Sequence, residues 1–159
     1  MHERVYFPKT APETYAAIRE VAATIQRSGL EPGLIELVKI RASQMNGCAF
    51  CLDMHTKDAR RLGETGQRLY LLNAWRETPY YSDRERAALA CTECLTRLPA
   101  DGVPDTAYRA LEDVFTPAEI ANITALIGLI NTWNRIAVGL NWPMPKADQT
   151  GGPGNRSTA

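Results

Sequence analysis

Long hydrophobic runs are missing from this chain of 159 residues. No stretch approaches the roughly 18 uninterrupted apolar residues of a membrane helix, so no membrane-spanning role is expected. An excess of one charge is missing too. Eighteen Lys and Arg balance eighteen Asp and Glu, and a net charge of zero supplies no bulk field to hold a nucleic acid backbone or an anionic bilayer. Neither kind of partner is expected. The opening MHERVYFPKT lacks the basic-then-apolar profile of a signal peptide, which makes a cytoplasmic location the expectation. Cysteine is scarce. Four residues are too few for a disulfide scaffold, and in a reducing compartment they point to redox chemistry or metal binding. What the chain does have is 45% hydrophobic and 23% charged residues, the composition of one soluble domain with its own core.

Alternating apolar and polar residues, the mark of a strand, are also absent. Apolar residues recur every three or four positions between proline and glycine marks, which predicts a single all-α domain, a helical bundle of about six to seven helices. The first helix is expected from Pro12 to Arg27, with Tyr15, Ile18, Val21, Ala22 and Ile25 as one stripe closed by Gly29. A second starts near Pro32 and stops at Asn46-Gly47, a pair suited to positive φ. The third follows directly, through Cys48, Cys51, His55 and Leu62 to Gly63. A fourth covers Gln67 to Trp75, and the loop RETPYYSD leads into Ser82, with Glu85 three residues on as a capping box. The fifth runs to Pro99, and Pro104 to Phe115 forms a sixth. Thr116 caps the longest helix, Pro117 opens it, and Ile120, Ile123, Leu126, Ile127, Ile130 and Trp133 run along it until Pro143. Asn131, Asn134 and Arg135 interrupt that run, as suits a buried or interface helix of a soluble protein. The domain is expected over residues 1–145, with 146–159 a disordered tail that has almost nothing to bury.

The informative segment is ELVKIRASQMNGCAFCLDMH, from Glu36 to His55. A C-x-x-C pair that opens a helix brings two sulfurs within one turn, and the free N–H groups there favour a thiolate. His55 follows Cys51 by four residues, so both leave the same helix face and an imidazole is placed to take the thiol proton. Glu36 enters because Asn46-Gly47 turns the chain back. Counted from Gly47 at 1.5 Å per residue, His55 lies about 12 Å along one helix and Glu36 about 16 Å back along the other. A carboxylate level with the imidazole would orient it and raise its basicity, completing a relay of Cys51, His55 and Glu36 with Cys48 as the second thiol. The order of the two thiols stays open on these grounds, since the helix terminus acts most on Cys48 and the histidine serves Cys51.

The spacing Glu, eleven residues, C-x-x-C, three residues, His resembles the active-site signature of the alkylhydroperoxidase D-like branch of the carboxymuconolactone decarboxylase family. The resemblance covers most of the chain, from Tyr15 to Trp142, including NTWNRIAVGLNWP. It implies an all-helical homo-oligomer, often a trimer or hexamer, that reduces hydroperoxides and is re-reduced by a dithiol of the lipoamide or thioredoxin kind, without metal or organic cofactor. It also implies that Cys51 attacks the peroxide, that Cys48 resolves the product to a disulfide, and that His55 and Glu36 relay the proton. Ala49 and Phe50 stand between the cysteines, so the extra histidine some members carry there is absent and the relay rests on His55.

Other readings compete. Two buried small side chains three apart would make the first pair structural. Cys91 and Cys94 form a second C-x-x-C mid-helix, with no free N–H groups nearby, and read as plain helix residues, Cys94 on the apolar face and Cys91 near its edge. Were the two pairs to meet, four thiolates would suit zinc, giving a metal-binding or redox-sensing module. A family-type acid–base enzyme acting on a lactone or keto acid through His55 and Glu36 is a further alternative. Trp75, Tyr70, Tyr80 and Tyr81 read as core or interface filling, with a pocket wall as the alternative. Arg60, Arg61, Arg84 and Arg86 read as a salt-bridged surface.

Overall fold

The computed structural model describes residues 2–144, and among them every regular element is helical. The expected tail over 146–159 lies outside the described residues. Eight α-helices follow in order: α1 (Phe7–Thr10), α2 (Pro12–Gln26), α3 (Pro32–Asn46), α4 (Ala49–Arg61), α5 (Gly66–Leu71), α6 (Asp83–Arg97), α7 (Asp105–Glu112) and α8 (Pro117–Gly139). The single turn α1 was not expected from the pattern. The fourth predicted helix is α-helical only as far as Leu71 and continues as a 3₁₀ segment, Leu72–Glu77, which takes in the start of the expected loop. Arg86 holds that segment's end by donating to the carbonyls of Trp75, Arg76 and Thr78.

Helix α3 is the axis of the bundle. Leu34, Ile35, Leu37, Val38, Ile40 and Ala42 are all buried on it, and a helix that is apolar nearly all round belongs inside. Helices α4, α6 and α8 pack around it. Each large aliphatic side chain buried there stabilises the fold by about 1.5–3 kcal/mol. Ile123, Leu126, Ile127 and Ile130 bring the matching stripe from α8.

Local signals fix the ends. Gly47 sits at φ +64° after α3, its N–H bonded to the Gln44 carbonyl while the N–H of Cys48 reaches the Ser43 carbonyl at 3.0 Å. That pair of bonds is a Schellman closure, which needs a residue free to adopt positive φ. It delivers Cys48 directly to the N-cap of α4. Ser82 with Glu85 and Thr116 with Glu119 each form a full capping box, worth about 1 kcal/mol per cap. Glu85 also receives Arg68, and Glu119 receives Arg84, which in turn bridges to Glu31. Arg84 and Arg86 are therefore half-buried ties between elements, whereas Arg60 and Arg61 are exposed as expected.

Two expectations about helix faces are corrected. On α2 only Ile25 is buried, and Val21 stays 47% exposed, so the predicted stripe is not wholly covered within one chain. On α6 the buried face carries Ala87, Ala88, Cys91 and Thr92, which makes Cys91 the core residue and leaves Cys94 half-buried. The rotation follows from Glu93, drawn inward by the Trp75 indole and by Arg41 and Arg76. A buried carboxylate with three donors is satisfied, and the helix turns to suit it.

Candidate active site

The sulfurs of Cys48 and Cys51 lie 2.7 Å apart, with both cysteines reduced and buried. Their closeness follows from the N-cap. Cys48 has extended backbone angles (φ −87°, ψ 93°), which swing its side chain back over the first turn, where its sulfur accepts from the N–H of Cys51 at 3.4 Å. The Cys48 thiol is held down at about 6 by its hydrogen bond with Cys51, against burial, with help from the backbone N–H groups of Cys51 and Phe50 and the Asn134 amide. Cys51 moves the opposite way, raised by its bond to the Cys48 sulfur, by burial and by the neighbouring negative charge. The reduced pair thus behaves as one acid that loses its first proton early and its second very late.

His55 and Glu36 meet as the register count requires. Nδ1 of His55 lies 2.8 Å from Oε2 of Glu36, across the antiparallel α3 and α4, and both residues are buried. Burial pushes the Glu36 carboxyl up, but the hydrogen bonds and positive charge of His55 and Lys39 outweigh it and keep the group below the ordinary carboxylate range. With Nδ1–H donated to the carboxylate, Nε2 is left as the basic nitrogen. Lys39, three residues along α3, donates to the other oxygen of Glu36 at 2.8 Å.

A cavity of about 460 Å³ opens beside this group. Cys51 and His55 line it; Cys48, 1% exposed, lies behind Cys51. Its apolar wall includes Phe50 and Met54 from α4, Leu126, Ile130 and Trp133 from α8, and Trp142. Phe50 and Trp142 meet edge-on with centroids 5.1 Å apart, and Trp133 packs edge-on against Tyr15 of α2 at 5.7 Å. The aromatic residues singled out in the sequence do not line this cavity. Trp75 is core, with its indole N–H on Glu93, and Tyr81 is core, with its hydroxyl on the Arg68 carbonyl, while Tyr70 and Tyr80 are exposed.

Sequence reasoning missed the polar side chains behind the two sulfurs. Asn134, 1% exposed on α8, donates to the Ser43 hydroxyl at 3.0 Å and accepts from Asn46 at 2.8 Å. Its amide favours the thiolate form of both cysteines, and Ser43 does the same for Cys51. The signal was the asparagine pair breaking the apolar run of the last helix: a buried amide among isoleucines has to have partners.

The second C-x-x-C joins none of this. Cys91 packs with Ala88, Leu111 and Ile123 in a cluster separate from that of Cys48 and Cys51. Burial, with a smaller contribution from Cys94, pushes its thiol up to about 11. Among the described residues the four cysteines form no metal-holding cluster, and the only such group with donor atoms in reach is Glu36, His55 and Asp58. There Glu36 already receives Lys39 and His55, and Asp58 pairs with Arg61.

The sequence profile of the carboxymuconolactone decarboxylase family matches residues 12–93, which include Glu36, Cys48, Cys51 and His55. The chain belongs to that family. The uncharacterised YdfG of Bacillus subtilis is 41% identical over 140 residues, 88% of this chain and 95% of YdfG. A crystal structure from Agrobacterium tumefaciens, of a protein of unknown function considered for an AhpD-type antioxidant-defence role, is 44% identical with a TM-score of 0.87, covering 91% of this chain and 99% of that one. The likeness makes this an AhpD-like member of the family. The debrominase Bmp8 shares the fold at 16% identity and a TM-score of 0.74, covering 87% of this chain and 74% of Bmp8, a likeness of fold alone. One scaffold carries more than one chemistry, so the reaction has to be argued from the site.

Proposed function

We propose that this protein is a thiol peroxidase in which Cys51 attacks a hydroperoxide, Cys48 resolves the product, and His55 with Glu36 moves the protons. One observation carries the reading: two sulfurs in contact, one of them facing a cavity that it shares with a carboxylate-held imidazole. The pair begins as a monoanion. For attack, the remaining proton shifts onto Cys48 or passes to Nε2 of His55, leaving Cys51 as the thiolate. Its sulfur then forms an S–O bond to the terminal peroxide oxygen as the O–O bond breaks. The departing alkoxide takes a proton from the relay and leaves as alcohol. Cys51 is now a sulfenic acid, and the Cys48 thiolate behind it displaces hydroxide, which takes one proton from solvent to leave as water, forming the disulfide. The sulfurs need less than 1 Å of further approach to reach bonding distance. An external dithiol returns two electrons and two protons by exchange; this organic reductant is the one partner that the cycle requires besides the peroxide.

Glu36 acts through His55. Its carboxylate fixes the tautomer and stabilises the imidazolium that forms when the thiol proton arrives. A homo-oligomer is part of the proposal as well: Val21 on α2 and Val138 on α8 stay exposed, apolar side chains that a second copy would cover.

The test is hydroperoxide consumption with dithiothreitol as reductant. Cys51→Ser is expected to abolish turnover, Cys48→Ser to slow it, since dithiothreitol must then reduce the Cys51 sulfenic acid directly, and His55→Ala to slow it by about 10²–10⁴-fold, the usual worth of a positioned acid–base group. Full turnover by the Cys51→Ser protein overturns the assignment. The family's acid–base alternative, without thiol chemistry, predicts turnover of a lactone or keto acid that survives loss of both cysteines.

A further inference from the structure

The cavity in front of Cys51 is far larger than hydrogen peroxide needs, and its charges are of one sign. Arg19 and Lys39 line it, and no Asp or Glu does. Lys39 is already balanced by its 2.8 Å bond to Glu36. Arg19 is not: it stands exposed on α2, over the ring of Tyr15 at 5.8 Å, and no carboxylate pairs with it among the described residues. Most arginines of this chain that lie near an acidic group are paired, as with Arg41 and Arg76 on Glu93 or Arg84 on Glu31 and Glu119. An uncompensated guanidinium at the edge of an aromatic and aliphatic pocket presents two parallel N–H donors to an incoming carboxylate. Small-molecule sites of this size, within the usual 300–1,000 Å³, bind an apolar body through their walls and orient it through a few polar groups.

We propose that the preferred substrate class is a hydroperoxide with an apolar or aromatic body that also bears a carboxylate, and that Arg19 is the residue that selects it. The proposal deepens the peroxidase reading and rests on it. The peroxide end meets Cys51 and His55, the body lies against Phe50, Trp133 and Trp142, and the carboxylate remains toward the exposed side of the cavity, at Arg19. Gln26, which also lines the cavity from α2, offers a neutral amide beside that charge.

Two matched pairs of peroxides test this: cumene hydroperoxide against its para-carboxylate, and linoleic acid hydroperoxide against its methyl ester, each with saturating dithiothreitol. The readout is the ratio of kcat/KM within a pair, which cancels any effect of a substitution on folding or on thiol chemistry. The wild type is expected to favour the carboxylate of at least one pair by about fivefold, the scale of an exposed ion pair. Arg19→Lys should keep the preference, Arg19→Gln reduce it to within twofold, and Arg19→Glu reverse it. Equal ratios for both pairs in the wild type, or a preference that persists in Arg19→Gln, overturn the proposal. Binding without turnover separates it from the peroxidase reading. In Cys51→Ser protein, 4-isopropylbenzoate should alter the indole fluorescence of Trp133 and Trp142 more strongly than cumene, in an Arg19-dependent way. If that holds while no hydroperoxide is consumed by the wild type, the peroxidase reading fails and the anion site stands. If turnover is brisk but neither preference nor Arg19-dependent binding appears, only the anion site is lost.

Discussion

The chain contains the same four-residue pattern twice and treats the two copies in opposite ways. Cys48-Ala-Phe-Cys51 straddles the start of a helix, and Cys91-Thr-Glu-Cys94 lies inside one. At the N-cap the first sulfur is free of helical geometry, so it folds back to within 2.7 Å of its mate and collects backbone N–H groups that helix α4 leaves unpaired. Within α6 both side chains obey the helix, where positions three apart keep Cβ atoms about 5–6 Å from each other. Every N–H is already spent on the helical ladder. The first pair accordingly has a thiol at about 6, and the second has one at about 11. Spacing alone makes neither pair reactive; position on the helix does, because the orphan amides and the freedom to bend exist only at its end.

The strongest way to break this contrast is to remove the proton donor of the first pair. Cys51→Ala should move the Cys48 titration, followed by thiolate absorbance near 240 nm, from about 6 to above about 8, close to a free thiol. At pH 7 that is a loss of most of the thiolate. The sign for stability follows. A thiol held below its unfolded value contributes stability that is complete above about 8.5, the unfolded value, and disappears as pH falls toward 6. Reduced wild-type protein should therefore gain resistance to urea between those limits, and Cys51→Ala should gain much less. A titration unchanged in Cys51→Ala would mean that the helix terminus alone sets the acidity. A smaller effect sharpens the other side. Cys91→Ala, in the core, should cost about 1 kcal/mol of unfolding free energy and Cys94→Ala less, with peroxide turnover within twofold of wild type in both. A peroxidase defect in either would give the second pair a chemical role.

How much of this could be read from residues alone varies with the range of the interaction. Asn46-Gly47 announced a turn, and counting rise per residue from it placed Glu36 beside His55, which the 2.8 Å contact bears out. Both steps use local geometry. The two capping boxes are equally local; Ser82 with Glu85 was legible, and Thr116 was placed as a cap. The faces of α2 and α6 were not legible, since their rotation depends on neighbours: α6 turns to bury Glu93 among Trp75, Arg76 and Arg41, which lie 18, 17 and 52 positions from it in the chain. Small side chains such as Ala87, Ala90 and Cys94 give a weak apolar pattern that such a demand easily overrides. The polar side chains behind the sulfurs were hidden for the same reason. Asn134 and Ser43 are 91 positions apart, and only the packing of α8 on α3 brings that amide to the sulfurs. The core reading of Trp75 and Tyr81 holds, but the cavity wall was not legible, because Phe50, Trp133 and Trp142 come together only when α8 packs beside α4.

The most direct measurement of the central claim uses the Cys48→Ser protein, in which an oxidised Cys51 has no partner to condense with. After one equivalent of cumene hydroperoxide and trapping with dimedone, peptide mass spectrometry is predicted to find the adduct on Cys51 and none on Cys91 or Cys94. An adduct on the α6 pair, or peroxide consumed with no adduct on Cys51, would contradict the account.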